Sequence, residues 1–218
     1  MTDKHRRFLG PVVEMRKLHD SAELRIVHSA EMLDRKSLAS VGDTTGERLT
    51  ALLTETKAHT PEELAANVAR IGELLGRFAL YVPARFTDDP AEQAKYWAVR
   101  SGIFPAVGGS RPAGTTCLSE DVAFHIEDLP RATAELQALI ARHGYDACIY
   151  GHALEDNYHF IINQSFSPPA EVARYEALMN DVAELVSAGT TARSKPSMAR
   201  GATWRPSSAA SRATTPWP

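Results

Sequence analysis

Along residues 49–186, apolar and polar positions recur with two periods. In HTPEELAANVARIGELL, Leu64, Val68, Ile71 and Leu75 fall on one helical face, and Thr60, Pro61 and Glu63 supply the cap, first position and capping box that open the helix. DDPAEQAKYWAVR repeats the device with Asp89, Pro90 and Glu92. A third helix is predicted from about Leu129 to His143, with Leu136, Leu139 and Ile140 inward and Gly144 as its stop. A fourth, SPPAEVARYEALMNDVAELV, is opened by Ser167 and Pro168. The runs LTALLTET, FALYVPARF, EDVAFHI, ACIYGHA and YHFIINQ predict strands between these helices. The order β-α-β-α, then β-α-β-β-α, predicts an α+β fold of ferredoxin-like repeats, with a largely antiparallel sheet and helices on one face. No glycine-rich phosphate loop follows any strand, which argues against a Rossmann or P-loop nucleotide domain.

Outside this stretch the pattern weakens. In residues 1–48, SAELRIVHSAEMLDRKSLASVGD has a helical middle, while MTDKHRRFLGPVVEMRKLHD gives no clear element, so the segment is poorly defined. Residues 187–218 contain no Asp, Glu, Leu, Ile, Val or Phe, and hold five of the 24 basic residues, whereas all 27 acidic residues lie upstream. Such a tail buries too little apolar surface to offset its ordering entropy and is expected to be disordered. Three segments follow: 1–48, a domain at 49–186, and the tail at 187–218.

Charge and cysteine content narrow the class. A net charge of -3 with dispersed basic residues argues against nucleic acid as the main partner. Cys117 and Cys148 have neither metal-like nor redox-like spacing, so a reducing, cytoplasmic setting is expected. No apolar run is long enough for a signal peptide or transmembrane segment.

The stretch YGHALEDNYHF places His152 and His159 symmetrically about an acidic pair. With Glu155-Asp156 as a two-residue hairpin tip, His152 would lie directly opposite His159, on a face shared with Cys148, Tyr150, Ile161 and Asn163. Two readings stand: a pair of metal ligands, or a cross-strand histidine pair on a half-buried face. Arg100 and Arg111 border the glycine-rich SGIFPAVGGSRPAGTT, either as carboxylate-binding guanidinium groups or as surface charges beside a connection. Glu120 and Asp121 are adjacent on a strand and point to opposite faces. His125 and Cys117 read as structural.

Taken in order, YWAVRSGIFPAVG, EDVAFHIEDLP and HGYDACIYGHALEDNYHFIINQSF resemble the C-terminal, substrate-side domain of the FAD-linked oxidases that include D-lactate, glycolate and D-2-hydroxyglutarate dehydrogenases. The likeness is closest to the cytochrome-type D-lactate dehydrogenase branch and covers roughly Glu31, in EMLDR, to Val186. It implies an oxidoreductase in which hydride passes from a small 2-hydroxy acid to FAD. By this resemblance His152 and His159 are two ligands of a divalent metal, Arg100 binds the substrate carboxylate, and Arg111 is an additional candidate. The family's GDGN turn is here Leu154-Glu155-Asp156-Asn157, which puts the turn geometry in question but not the histidine spacing.

Two departures are larger. Nothing in residues 1–48 resembles the family's flavin-binding domain, and its closing E-H-G-x-G, the source of a third metal ligand and a base, is absent after Val186. Read one frame over, the codons of PSMARGATWRPS can spell E-H-G-T-G-R-N-M-A-P-F, so residues 187–218 are expected to be out-of-frame translation. The alternative is a genuine low-complexity basic arm. The expectation is a metal site left incomplete and a chain inactive by itself, in a parent enzyme that is cytoplasmic or membrane-peripheral. The competing reading is a non-catalytic binding or regulatory module, or one half of a split enzyme whose flavin domain is a separate chain.

Overall fold

The computed structural model describes residues 3–20, 25–42 and 50–190, with side chains from Gly10 to Ser187. In chain order the elements are α1 (Asp3–Asp20), β1 (Ser29–Leu33), α2 (Arg35–Ser40), β2 (Ala51–Glu55), α3 (Pro61–Leu75), α4 (Pro90–Gly109), β3 (Thr116–Ala123), α5 (Leu129–Arg142), β4 (Cys148–His152), β5 (Asn157–Gln164) and α6 (Pro169–Thr190). A 3-10 turn, Ala153–Glu155, joins β4 to β5. The strands form one sheet in the order β2-β1-β4-β5-β3, antiparallel at every pairing. This is the α+β architecture that the alternating pattern predicts.

Side chains alternate across the sheet, so its two faces have separate surroundings. On one face Met32, Ile149, Phe160 and Ile162 join Val12 and Met15 of α1, Ile71 of α3, Leu136 and Ile140 of α5, and Leu178 of α6 in the main core. On the other face a smaller cluster gathers Leu33, Cys148, Tyr150 and Ile161 with Leu38 of α2 and Ile103 of α4. Four helices thus share one face, as expected, and α2 and α4 add a second, thinner layer opposite.

The helix starts follow their caps. Glu63 N–H donates to Thr60 Oγ1 at 3.2 Å, while the Glu63 carboxylate accepts from His59 N–H at 3.0 Å. Asp89 Oδ1 accepts from Ala91 N–H at 2.9 Å at the start of α4. Gly144, at φ +74°, ends α5.

Five local expectations are corrected. The segment before residue 49 carries α1, the central strand β1 and α2; β1 lies between β2 and β4 and is buried on both faces, so its sequence shows no alternation to read. FALYVPARF, expected as a strand, is irregular: Phe78 packs against α1 at Gly10, where a Cβ would lie 2.9 Å from the Phe78 ring, and Leu80, Tyr81 and Val82 are exposed. The glycine-rich stretch after Arg100 continues α4 through Pro105 to Gly109, because Ile103, fully buried, seats this half of the helix on the sheet. In the tail, α6 runs on to Thr190; residues 191–218, with the proposed frame change, lie outside the described residues.

The hairpin register is the fifth correction. His152 pairs with Asn157 and Tyr150 with His159, not His152 with His159. The loop spans residues 153–156 because its middle is drawn inward: Ala153 is fully buried, Leu154 nearly so, and Arg16 of α1 donates to Leu154 O at 2.5 Å and to Asp156 Oδ1 at 3.3 Å. Asp156 closes the loop at φ +61°, a left-handed position that Asp tolerates better than most residues. The slip is two residues, an even number, so both histidines keep the same face and become diagonal neighbours.

Candidate active site

The second sheet face opens beside α4 into a shallow cleft of about 430 Å³ lined by Arg100, Phe104, Ser119, Asp121, Tyr150 and His159. Arg100 and Phe104 lie one helical turn apart on α4, while Ser119, Asp121, Tyr150 and His159 share one face of β3, β4 and β5. The cleft is therefore a helix laid over the polar half of a sheet whose other half is dry.

A buried acid next to the cleft, outside its lining, holds Arg100 and one imidazole. Glu31 of β1, its side chain 5% exposed, accepts from Arg100 Nε at 2.7 Å through Oε2 and contacts His152 Nδ1 at 2.5 Å through Oε1. The Arg100 guanidinium also stacks over the Tyr150 ring, 4.4 Å from its centroid. Burial raises the Tyr150 hydroxyl pKa, against the opposing pull of Arg100, so this phenol stays neutral at ordinary pH. His159 is held separately, its Nδ1 hydrogen-bonded to Asp121 Oδ1. The two imidazoles meet edge to face with centroids 5.5 Å apart, and His159 lies 5.3 Å from the Tyr150 ring.

Of the residues singled out in the sequence, Arg100, His152 and His159 are brought together here. Arg111 is not: its Nη1 donates to Gly108 O at 2.5 Å and its Nε to Thr115 O at 3.2 Å, which ties the α4–β3 connection to itself. Asp121 and Glu120 do point to opposite faces, the first to His159 and the second to the Tyr175 hydroxyl at 2.7 Å. His125 is exposed. Among the described residues no group of three or more His, Cys, Asp or Glu is arranged to hold a metal ion, so His152 and His159 stand as two donors.

Glu31 is the residue that sequence reasoning missed as a site component. Its signal was a lone acid in the apolar run of EMLDR, at a position that becomes inward-facing only once β1 is recognised as a central strand.

This arrangement can present a cation and two imidazoles to a small anion in a partly apolar cleft. A family model for FAD linked oxidases, C-terminal domain, matches residues 16–190, and the chain belongs to that family. Among solved structures it is similar to a 4-ethylphenol oxidase from Gulosibacter chungangensis in an isoeugenol complex, with a TM-score of 0.50 and 12% identity over 87% of this chain. The match covers 42% of that oxidase and bears on the fold alone. No curated protein sequence matches the chain. Among the described residues no helix is long and apolar enough to cross a membrane.

Proposed function

We propose that this chain is the substrate-side domain of an FAD-dependent 2-hydroxy acid dehydrogenase, with a small D-lactate-like acid as substrate. One observation carries the reading: Arg100 lines a cleft beside two imidazoles whose Nδ1 atoms are each held by a carboxylate. The ion pair with Glu31 engages Nε and leaves the two Nη groups of Arg100 for a bidentate grip on a substrate carboxylate. Arg111, committed to backbone carbonyls, is left out of this assignment.

The histidines fit the role of metal donors in one respect. A carboxylate at Nδ1 fixes the ring and leaves Nε2 for coordination, the arrangement common around bound metals. In this reading His152 and His159 supply two ligands of an incomplete set, and a divalent ion held there would make the substrate hydroxyl easier to deprotonate. Oxidation of a 2-hydroxy acid to a 2-keto acid releases a hydride equivalent and a proton, and FAD when bound supplies the acceptor for the hydride. Phe104 and Tyr150 flank the place where the substrate would sit and exclude water from one side. Tyr96, Trp97 and Val99, exposed on α4, offer an apolar surface for a flavin-binding domain, in this chain or a separate one.

The test is titration of the purified chain with D-lactate, followed by NMR. Arg100→Ala is expected to weaken binding by about tenfold or more, the cost of roughly 1.5–3 kcal/mol for a charged hydrogen bond. Unchanged affinity in that variant, with wild-type binding measurable, would remove the assignment.

A further inference from the structure

We infer that Glu31 is a positioning residue: a single buried carboxylate that sets the substrate-binding guanidinium and one of the two imidazoles against each other. This rests on the proposed function for what Arg100 binds, but the geometry of the link does not depend on it.

Glu31 spends both oxygens on the site, Oε2 on Arg100 Nε and Oε1 on His152 Nδ1. Arg100 is held on a second side by the Tyr150 ring. A guanidinium fixed at Nε and along one face can turn neither its Nη pair nor its plane freely, so its free edge has a defined direction. The same acid holds His152 at Nδ1, which fixes the ring plane and turns Nε2 away from the carboxylate. The two groups belong to different elements, α4 and β4, and Glu31 on β1 couples them. A simple structural ion pair would need only one partner. The second imidazole is held differently: its Nδ1 partner is Asp121, whose side chain is 58% exposed, whereas that of Glu31 is 5% exposed. His159 touches the His152 and Tyr150 rings, but its Nδ1 partner is independent of Glu31, so its Nδ1–H form, rather than its exact shift, serves as the internal reference.

The experiment uses the full chain labelled with 15N, reading the ring nitrogens of both histidines, the Arg100 Nε–Hε signal, and D-lactate affinity in wild type, Glu31→Ala, Glu31→Gln, Asp121→Asn and Arg100→Ala. In Glu31→Ala the His152 ring should lose its Nδ1–H form, Arg100 Hε should exchange about tenfold faster, and affinity should fall about tenfold, while His159 shifts only slightly and keeps its Nδ1–H form. Glu31→Gln has one acceptor oxygen for two donors and an NH2 that can donate to His152 Nδ1 only in its other tautomer, so the Nδ1–H form of His152 and the slow Arg100 Hε exchange should not both survive. Asp121→Asn should move His159 and spare His152.

Wild-type His152 and Arg100 signals in Glu31→Ala would overturn the inference. So would loss of the His159 signals together with the others in both Glu31 variants, since that would make Glu31 a prop for the fold. If Arg100→Ala weakens binding and Glu31→Ala does not, the positioning role fails while the proposed function survives. If Arg100→Ala leaves binding unchanged, the proposed function fails, and the Glu31 link is then judged on the ring and Hε signals.

Discussion

The same strands build two unlike surfaces. Toward α1, α3, α5 and α6 the sheet presents Met32, Ile149, Tyr158, Phe160 and Ile162, all at 2% exposure or less. Toward α4, the intervening positions carry Glu31, Tyr150, His152, His159 and Asp121, tied by carboxylate contacts to imidazole and guanidinium groups. A backbone that supported only the fold would gain from apolar residues on both sides, because a buried ion pair seldom improves stability over well-packed hydrophobic residues. Charge retained on one face, beside an open cleft, is the pattern the proposed function would produce, with some stability given up for a site.

That contrast can be broken by truncating each face. Phe160→Ala removes a fully buried ring from the main core and should cost roughly 3–5 kcal/mol, measured by urea unfolding. Ser119→Ala, at an exposed cleft position, should stay within about 0.5 kcal/mol of wild type. Similar losses at both sites would mean that the cleft face carries the fold as heavily as the dry face does.

The next largest effect is expected where the faces meet the turn. Gly151 precedes His152 at φ +156°, and a Cβ there would lie 2.5 Å from Asn157 O and 2.8 Å from Tyr158 Cα, both backbone atoms that cannot swing aside. Gly151→Ala should therefore destabilise by about 1–3 kcal/mol or more and displace His152. In 15N spectra the His152 ring should shift further than the His159 ring. An alanine variant of wild-type stability would show that the β4–β5 pairing is looser than the contact distances require.

The dry face was largely legible in the sequence, because period-two and helical spacings at Ile149, Phe160, Leu136 and Ile140 report burial directly. The cleft face was legible in its residue types but not in its assembly. His152, His159 and Arg100 were found through motifs, while their common partner Glu31 lay in a segment that read as helical. β1 lacks alternation for the reason that makes it central: both its faces are covered. The hairpin register also escaped, since the inward pull of Arg16 on Leu154 joins residues 138 positions apart and leaves no trace in local turn preferences. The helical course of SGIFPAVGG was hidden by Pro105 and its glycines, whose local cost is outweighed by seating Ile103 on the sheet.

A smaller effect is expected at Asp34, which ends β1 and caps α2 by accepting from Ser37 N–H at 2.8 Å. Burial, the main influence, raises its carboxyl pKa above the usual range, against the pull of the Ser37 hydrogen bonds. The folded protein thus holds that proton more tightly than the unfolded chain. Asp34 favours folding at pH below the ordinary carboxylate pKa, and the benefit is lost as pH rises through the raised value. Asp34→Asn keeps a capping oxygen without the charge and should flatten this acid-side slope in urea unfolding followed from acid to neutral pH. Asp34→Ala should lose the cap as well, about 1 kcal/mol at neutral pH. An unchanged slope in Asp34→Asn would assign the pH dependence to other carboxylates.

The least perturbing probe compares the two thiols on the cleft face. Cys148 is buried in the smaller cluster, and burial first, with Asp34 adding to it, pushes its pKa up to about 12. At mildly alkaline pH its thiolate fraction is then on the order of one in ten thousand. Cys117, on edge strand β3, is also raised by burial but is partly exposed and has Arg111 opposing the shift. Iodoacetamide should therefore modify Cys117 in the native chain and reach Cys148 only on unfolding, as resolved by peptide mass spectrometry. Asp34→Asn should speed Cys148 modification only slightly, because desolvation rather than the neighbouring charge dominates its shift. Native labelling of Cys148 at the rate of a free thiol would mean that water reaches β4 beneath α4. The cleft would then extend through the smaller cluster, and the polar face would be an open surface, without the burial that Glu31 requires.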